Sequence, residues 1–466
     1  MAFSPLRPPC TSMTGSSTTP TDGHLSRCPA AARLTGTWPS SFPSPCFCSL
    51  AGPCWPPPDP STPRDTTSLG KVFAMTVTTQ RTSTLADRVR DILPGISARA
   101  DEAERIRKVP VQNVDALREI GFFRAFVPAK YDGLSVLPSE FGEATRVLAT
   151  ACPSTAWACG LMAVHAHTVA NYSPVLQEEV WGSDPDTLIC SSVAPMGQPT
   201  KVDGGIRLTG DFSWSSGSEH AHWIIVGMMM PGSSEAPEPH FAIVPRSDFE
   251  IKDTWFAMGL KGTGSQDISI KDVFVPEYRL ETLISLNIGT ATGFGTHDAP
   301  VYRLPWQPVF ALNFSAVNLG ASEALRDLYP ARLSTRVRAY TGAKVGETAP
   351  ALMRLAESTH ELDAARSLLE SDWRAMDSRA NSTDPTTPDE MAGWRSNQAY
   401  ITRLAVRAAD RLFDASGGSA VRDENPMQRY WRDLHTGAAH TYSDYDIAAQ
   451  VYGAHLAAVQ PQEGLF

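Results

Sequence analysis

The chain has 466 residues, with 40 Lys and Arg against 50 Asp and Glu for a formal charge of -10, 42% hydrophobic residues, 37 prolines and 8 cysteines. This is the composition of a soluble globular protein with enough chain for several cores, and it excludes a fibre, a disulfide scaffold and a membrane protein. The acid excess supplies no concentrated basic surface for nucleic acid or anionic lipid, so the expected partners are small molecules and other proteins.

Residues 1–74 carry a net +2 against -12 for the remainder, and contain runs such as Cys54-Trp55-Pro56-Pro57-Pro58. Proline removes backbone donors and the segment lacks periodic apolar residues to offset chain entropy, so it is expected to be a disordered extension, with Met75 opening the functional protein. Cys46 and Cys48 lack the second pair that a metal site needs. The first 30 residues have no continuous apolar core for a secretory signal; the segment is acid-poor like a transit peptide, but its prolines oppose an amphipathic helix. Cys152, Cys159 and Cys190 are too few and too scattered for a bridge framework, which predicts a reducing cytoplasm. No apolar run approaches the roughly 18 residues of a membrane span.

From residue 75 to 188 the pattern predicts a helical domain. Leu85, Val89, Ile92 and Leu93 recur at helical spacing, Asn113 reads as a cap for the segment Val114 to Leu117, and Phe141 to Ala151 continues the period. Residues 189–285 switch to short β-rich runs, including 223–226, 241–244 and 268–275, separated by Gly, Pro and Asp turns. A connecting stretch, 286–309, holds Gly289, Gly293 and Gly295. Residues 310–466 read as a helical bundle, with Leu352, Leu355, Leu362 and Leu369 on one face and Arg403, Arg407 and Arg411 forming a solvated or ion-paired row. The predicted class is mostly α with a central β domain.

Four stretches carry a resemblance: Met258-Gly-Leu-Lys-Gly-Thr-Gly-Ser265 followed by Asp272-Val-Phe-Val-Pro276; Trp214-Ser-Ser-Gly217; Arg336-Val-Arg-Ala-Tyr-Thr-Gly342; and His435-Thr-Gly-Ala-Ala-His-Thr-Tyr-Ser-Asp-Tyr-Asp446. With the order helices, β domain, bundle, they resemble the acyl-CoA dehydrogenase fold in its flavin monooxygenase branch. From about Leu85 onward the chain is similar to the oxygenase components of two-component p-hydroxyphenylacetate 3-hydroxylases and, more distantly, to secosteroid phenol hydroxylases. The resemblance implies a helical domain, a β-barrel-like domain and a four-helix bundle assembled as a homotetramer. It also implies reduced FMN or reduced FAD from a separate NAD(P)H:flavin reductase, O2 as co-substrate, and ortho hydroxylation of a small aromatic through a flavin C4a-hydroperoxide. In agreement, no G-x-G-x-x-G follows a strand and opens a helix, so no module for oxidising NADH is visible in the chain itself.

By that resemblance, Ser216 bonds flavin N5, flanked by Trp214 and Ser215, and Trp157 lines the ring pocket. Arg336 and Arg338 are suited to flavin phosphate, often across a subunit interface, and Ser416, Gly417 and Gly418 approach the flavin. His165 and Ser191 hold the phenol hydroxyl, the histidine with an ordinary value near 6.5 for accepting its proton. His440 handles a proton beside the flavin, with Tyr442 and Phe310 near the substrate. The family's carboxylate-anchoring arginine falls on Gln307, which predicts a substrate without a carboxylate at that distance, Arg303 being the alternative cation. His165-Ala-His167 and His220-Ala-His222 lack the carboxylate spacing of a metal site. Each residue also has a plain structural reading, as core packing, turn or salt bridge. Three alternatives remain at this point: an acyl-CoA dehydrogenase using Asp444 or Asp446, an N-hydroxylating enzyme, and a non-catalytic flavin-binding partner.

Overall fold

The computed structural model describes residues 83–231 and 236–460. The extension expected over 1–74, and the start at Met75, lie outside the described residues. Six helices come first: α1 (Leu85–Ala98), α2 (Ala100–Ile106), α3 (Val111–Glu119), α4 (Pro138–Ala151), α5 (Pro153–Ala170) and α6 (Pro174–Trp181). Their starts follow local chemistry. Thr84 and Asp87 form a capping box on α1, and prolines open α4, α5 and α6, where a missing N–H costs nothing. Asn113 is not the cap expected of it. Pro110 precedes α3, and Asn113 is buried inside the helix, accepting a bond from Arg99 Nε at 2.6 Å and donating to Thr155 at 3.1 Å.

The strands follow: β1 (Ile189–Val202), β2 (Gly205–Ser215), β3 (Trp223–Pro231), β4 (Pro237–Pro245), β5 (Glu250–Lys252), β6 (Gln266–Pro276) and β7 (Leu280–Thr282). They form one sheet in the order β5-β6-β2-β1-β3-β4-β7, in which the β1–β3 pair is parallel and every other pairing is antiparallel. Asp203-Gly204 closes the β1–β2 hairpin, Gly204 taking φ +73. Alternation along β1 divides the sheet's faces. Cys190 joins Leu208, Phe212, Ile224 and Ile268 in a core wrapped by the sheet itself, whereas Ile189, with Ile225, Phe241 and Ile243, packs into the core shared with the helices.

Helix α7 (Leu283–Ile288) leads to α8 (Trp306–Thr335), α9 (Ala349–Ala380), α10 (Pro388–Asp414), α11 (Pro426–Ala438) and α12 (Tyr445–Leu456). The two helical regions share one core, since α4 and α5 both pack on α8. Of the leucine row on α9, Leu362 and Leu369 are buried but Leu352 is exposed, lying at the helix start beyond its neighbours. Arg407 and Arg411 pair with Glu361 at 2.6 and 2.7 Å, and Arg403 lies over the Tyr445 ring, so the arginine row is an ion-paired face. Among the described residues no helix is long and apolar enough to cross a membrane.

Candidate active site

Helix α5 is buried on every side, so it has no polar face and its side chains must find partners within the protein. Gly160 lets it approach α8: a Cβ there would lie 1.9 Å from Asn313 Oδ1, and Asn313 in turn donates to the Trp157 carbonyl at 3.2 Å. On the opposing stretch of α8, Trp306, Phe310 and Phe314 follow at i, i+4 and i+8, a single face of the helix. Trp306 stacks on Phe310 at 4.6 Å, Phe310 stacks on His165 at 5.7 Å, and Phe314 stacks on His440 at 4.2 Å. Trp157 meets both Phe314 and His440, at 5.1 and 5.6 Å. Tyr442 meets Phe310 and Phe314, each at 5.4 Å. Three separate parts of the chain thus build one aromatic enclosure.

His165 is 1% exposed, and neither ring nitrogen has a hydrogen-bond partner. Burial pushes its pKa down to about 3, so the ordinary histidine value expected from the sequence does not hold: the ring is a neutral, unsatisfied polar group rather than a ready base. Ser191 is half-buried on β1, opposite Ile225 and two residues from Ile189, on the sheet face that packs towards α5.

His440 and Tyr442 are half-buried and packed among the aromatic rings of α5 and α8. Burial, helped by the positive charge of Arg395, pushes His440 down to about 4. Its Nδ1 accepts the Tyr442 backbone N–H at 3.2 Å, so the neutral ring carries its proton on Nε2. Burial pushes the Tyr442 hydroxyl up to about 12, against the opposing influence of Arg395 and of a hydrogen bond with Gln307. Gln307 thereby sits at the Tyr442 end of the enclosure. Arg303, the alternative cation, does not: it is exposed, at the end of a short turn, and donates to the Ala380 carbonyl at 3.4 Å.

One buried cation escaped the sequence reading. Arg395 on α10 is 7% exposed, its guanidinium 4.6 Å from the Tyr442 ring, and its Nε and Nη1 have no partner. The available signal was its place at the head of the buried row Arg395, Ala399, Thr402, Ala405 and Ala409 on α10, where a charged residue is out of keeping.

The turn Trp214–Gly217 closes on α5 from the sheet side. Gly217 takes φ +74, and a Cβ there would lie 2.8 Å from Met162 Sδ, so glycine is required. Ser215 and Ser216 are buried, whereas Trp214 is 65% exposed and also takes a positive φ. Ser216 Oγ lies 2.8 Å from Ser265 Oγ in the following turn, 258–265, which is pinned to α11 by the buried Asp433 accepting the Leu260 N–H at 2.6 Å.

Arg336, Arg338 and the segment Ser416–Gly418 are elsewhere. They lie at the far end of α8, about 33 Å along the axis from Phe314 at 1.5 Å per residue. There Arg336, Arg338, Gly417 and Gly418 border two adjoining hollows of about 680 and 700 Å³ that share Arg332 and Gly418. Arg336 donates to the Ala415 carbonyl, and Ser416 Oγ donates to Leu412 at 2.7 Å. The structure therefore does not bring Arg336, Arg338 and Ser416–Gly418 together with the aromatic enclosure.

Three of the four paired histidines are occupied individually, His165 being the exception. His167 and His220 contact the carbonyls of Val301 and Val109, and His222 Nδ1 accepts the Leu188 N–H. Among the described residues no group of three His, Cys, Asp or Glu could hold a metal.

Residues 312–445 match the family Acyl-CoA dehydrogenase, C-terminal domain. The chain is 42% identical over 380 residues to the p-hydroxyphenylacetate 3-hydroxylase oxygenase component of Acinetobacter baumannii, covering 81% of this chain and 90% of that one. It belongs to the flavin-dependent aromatic hydroxylases. A second relative, the flavin-dependent monooxygenase oxygenase subunit HsaA of Mycobacterium tuberculosis, is 37% identical over 381 residues, covering 80% of this chain and 95% of its own. A crystal structure of HsaA from M. tuberculosis superposes with a TM-score of 0.77 at 36% identity, covering 82% of this chain and 99% of that one. The protein is thus an oxygenase component of a flavin-dependent aromatic monooxygenase with the acyl-CoA dehydrogenase fold, and the dehydrogenase alternative falls away. Asp444, one carboxylate on which that reading rested, accepts the N–H groups of Asp446 and Ile447 as the cap of α12, and Asp446 is exposed.

Proposed function

We propose that this hydroxylase adds one oxygen, ortho to the hydroxyl, to a small phenol held between His165, Ser191 and the Gln307–Tyr442 end of the enclosure. The observation that carries the reading is His165, buried with both nitrogens unpartnered. An unsatisfied polar group in an apolar enclosure costs stability unless a ligand completes it, and a phenol hydroxyl is the complementary group. The residues also fit a flavin ring: an aromatic wall of Trp157 and Phe314, a glycine turn tight on α5, and a buried serine at its edge. The reduced flavin, FMN or FAD, supplied by a separate NAD(P)H:flavin reductase, would activate O2.

The chain's own groups do the remaining work. Ser216 bonds the flavin edge. His440, neutral with its proton on Nε2, presents a hydrogen-bond donor beside the ring. Trp157, Phe310 and Phe314 exclude water. His165 accepts a hydrogen bond from the phenol O–H, which orients the ring and leaves the ortho carbon more electron-rich.

The separation of Arg336, Arg338 and Ser416–Gly418 from this enclosure supports a homotetramer in which these residues reach the flavin phosphate of a second copy. Three buried, unbridged thiols at Cys152, Cys159 and Cys190 support a cytoplasmic location.

Gln307 offers a hydrogen bond without charge and favours a neutral phenol. Arg395 favours a second reading, an aromatic acid whose carboxylate is drawn to the guanidinium behind Tyr442. Rapid mixing of the flavin-loaded reduced protein with oxygenated buffer and matched phenols, with and without a carboxylate, tests both. Catechol from the neutral member supports the first reading and catechol from the acid alone supports the second. Flavin reoxidation without any hydroxylated product refutes both.

A further inference from the structure

Ser216 is the end of a chain of buried hydroxyls. Ser216 Oγ lies 2.8 Å from Ser265 Oγ, Ser265 Oγ lies 2.6 Å from Thr263 Oγ1, and Thr263 Oγ1 lies 2.8 Å from the Leu260 carbonyl oxygen. Ser216, Ser265 and Thr263 are all buried, at 7, 4 and 1% exposure. The carbonyl at the far end is immobile. Leu260 donates its N–H to Asp433 at 2.6 Å, and its oxygen also accepts Trp255 Nε1 at 2.9 Å. A Cβ on the preceding residue, Gly259, would lie 2.0 Å from the Arg432 carbonyl oxygen, so the turn is seated directly on α11.

This chain has only one polarity. A carbonyl oxygen carries no hydrogen, so two oxygens 2.8 Å apart require that Thr263 donate to Leu260. Thr263 then has only lone pairs for Ser265, which must donate to it, and Ser265 in turn has only lone pairs for Ser216. The single proton of Ser216 is therefore directed at Ser265. Any further hydrogen bond that Ser216 Oγ makes is thus one that it accepts.

We propose that Thr263 and Ser265 are positioning residues that lock Ser216 as a hydrogen-bond acceptor, so that the site selects reduced over oxidised flavin. The inference rests on the reading that places the flavin N5 edge at Ser216. Reduced flavin carries a hydrogen on N5 and donates to an acceptor. Oxidised flavin presents a bare N5 lone pair, which meets the Ser216 lone pairs with repulsion unless the hydroxyl chain reverses, and the Leu260 carbonyl forbids reversal. For an oxygenase supplied with reduced flavin, that polarity favours uptake of the useful form and release of the spent one.

The test is equilibrium binding, independent of turnover. Dissociation constants for oxidised and anaerobically reduced FMN and FAD are measured on the full-length chain and on Ser216→Ala, Ser265→Ala, Thr263→Val and Thr263→Ser. A single hydrogen bond exchanged for a lone-pair clash is expected to make the oxidised-to-reduced Kd ratio about tenfold or more. Ser265→Ala and Thr263→Val free the Ser216 proton to rotate towards N5, and each is expected to bring the ratio down about tenfold, mainly by tightening oxidised flavin. Thr263→Ser keeps the hydroxyl and is expected to keep the ratio, which a loss of packing at Thr263 would not allow. If Ser216→Ala weakens reduced-flavin binding while Ser265→Ala and Thr263→Val leave the ratio unchanged, the polarity lock is refuted. If Ser216→Ala changes neither affinity, the placement of flavin at Ser216 is itself wrong, and the inference fails with it.

Discussion

Replacing His165 by leucine separates a ligand-binding histidine from a structural one. The ring is 1% exposed, unpartnered at both nitrogens, and held by burial at a pKa of about 3. Against an ordinary value near 6.5, that is roughly 5 kcal/mol in favour of the neutral form. An unhindered histidine at pH 5.5 would be about nine-tenths protonated, whereas this one stays below about 1% protonated. Equilibrium binding of a neutral phenol to the flavin-loaded protein is therefore expected to vary by less than about twofold between pH 5 and 8. His165→Leu removes the acceptor and is expected to weaken phenol binding by about 1–3 kcal/mol, roughly five- to 150-fold. Because the replacement also removes an unsatisfied buried polar group and keeps an apolar contact with Phe310, the melting temperature is expected not to fall. An inflection in phenol affinity near pH 6.5, or a leucine variant that loses stability while retaining affinity, would refute the reasoning.

Gly160→Ala drives a Cβ to within 1.9 Å of Asn313 Oδ1 and is expected to destabilise the chain by about 1–3 kcal/mol, read by thermal unfolding. Gln307→Arg places a cation at the Tyr442 end; the ratio of activity on a carboxylate-bearing phenol to that on its neutral counterpart should rise about tenfold or more, and an unchanged ratio would remove Gln307 from substrate selection. Asp433 is buried and its pKa is raised to about 7 by burial, so the stability it contributes is fully present below its unfolded value of 3.8 and is lost as the pH rises through about 7. Asp433→Asn keeps the acceptor for the Leu260 N–H but not the titration. Denaturant unfolding at pH 7.5 and 5.5 should show the wild type gaining about 2 kcal/mol on the variant at the lower pH, and a constant difference would exclude the buried carboxylic acid.

Much of the architecture is written in local pattern. Periodicity of 3.6 along 141–151 and the short apolar β-rich runs 223–226 and 241–244 depend on neighbours a few residues apart, and the motifs around 214–217, 258–265 and 435–446 survive as contiguous words. The sequence by itself therefore determined the order of helical region, sheet and bundle, and its resemblance to a family offered His165, Ser216, Phe310, His440 and Tyr442 as candidate site residues. Where local signals failed, a distant neighbour had overruled them. Asn113 looks like a cap but is captured by Arg99 and Thr155, and Leu352 keeps the leucine period yet is exposed in the first turn of α9.

Charge state and grouping were decided only in three dimensions. Desolvation acts through everything packed around a ring, so the neutrality of His165 and His440 follows from α5, α8 and the 440–442 turn closing together, and no spacing in the chain encodes it. Arg395 becomes a buried cation only because the 440–442 turn folds over it. The direction of the hydroxyl chain from Ser216 to Leu260 likewise needs three short oxygen–oxygen distances and a pinned carbonyl. The resemblance groups Arg336 and Arg338 with the flavin residues, but the rise of α8 carries them to its far end, since a helix converts sequence separation into distance at a fixed rate.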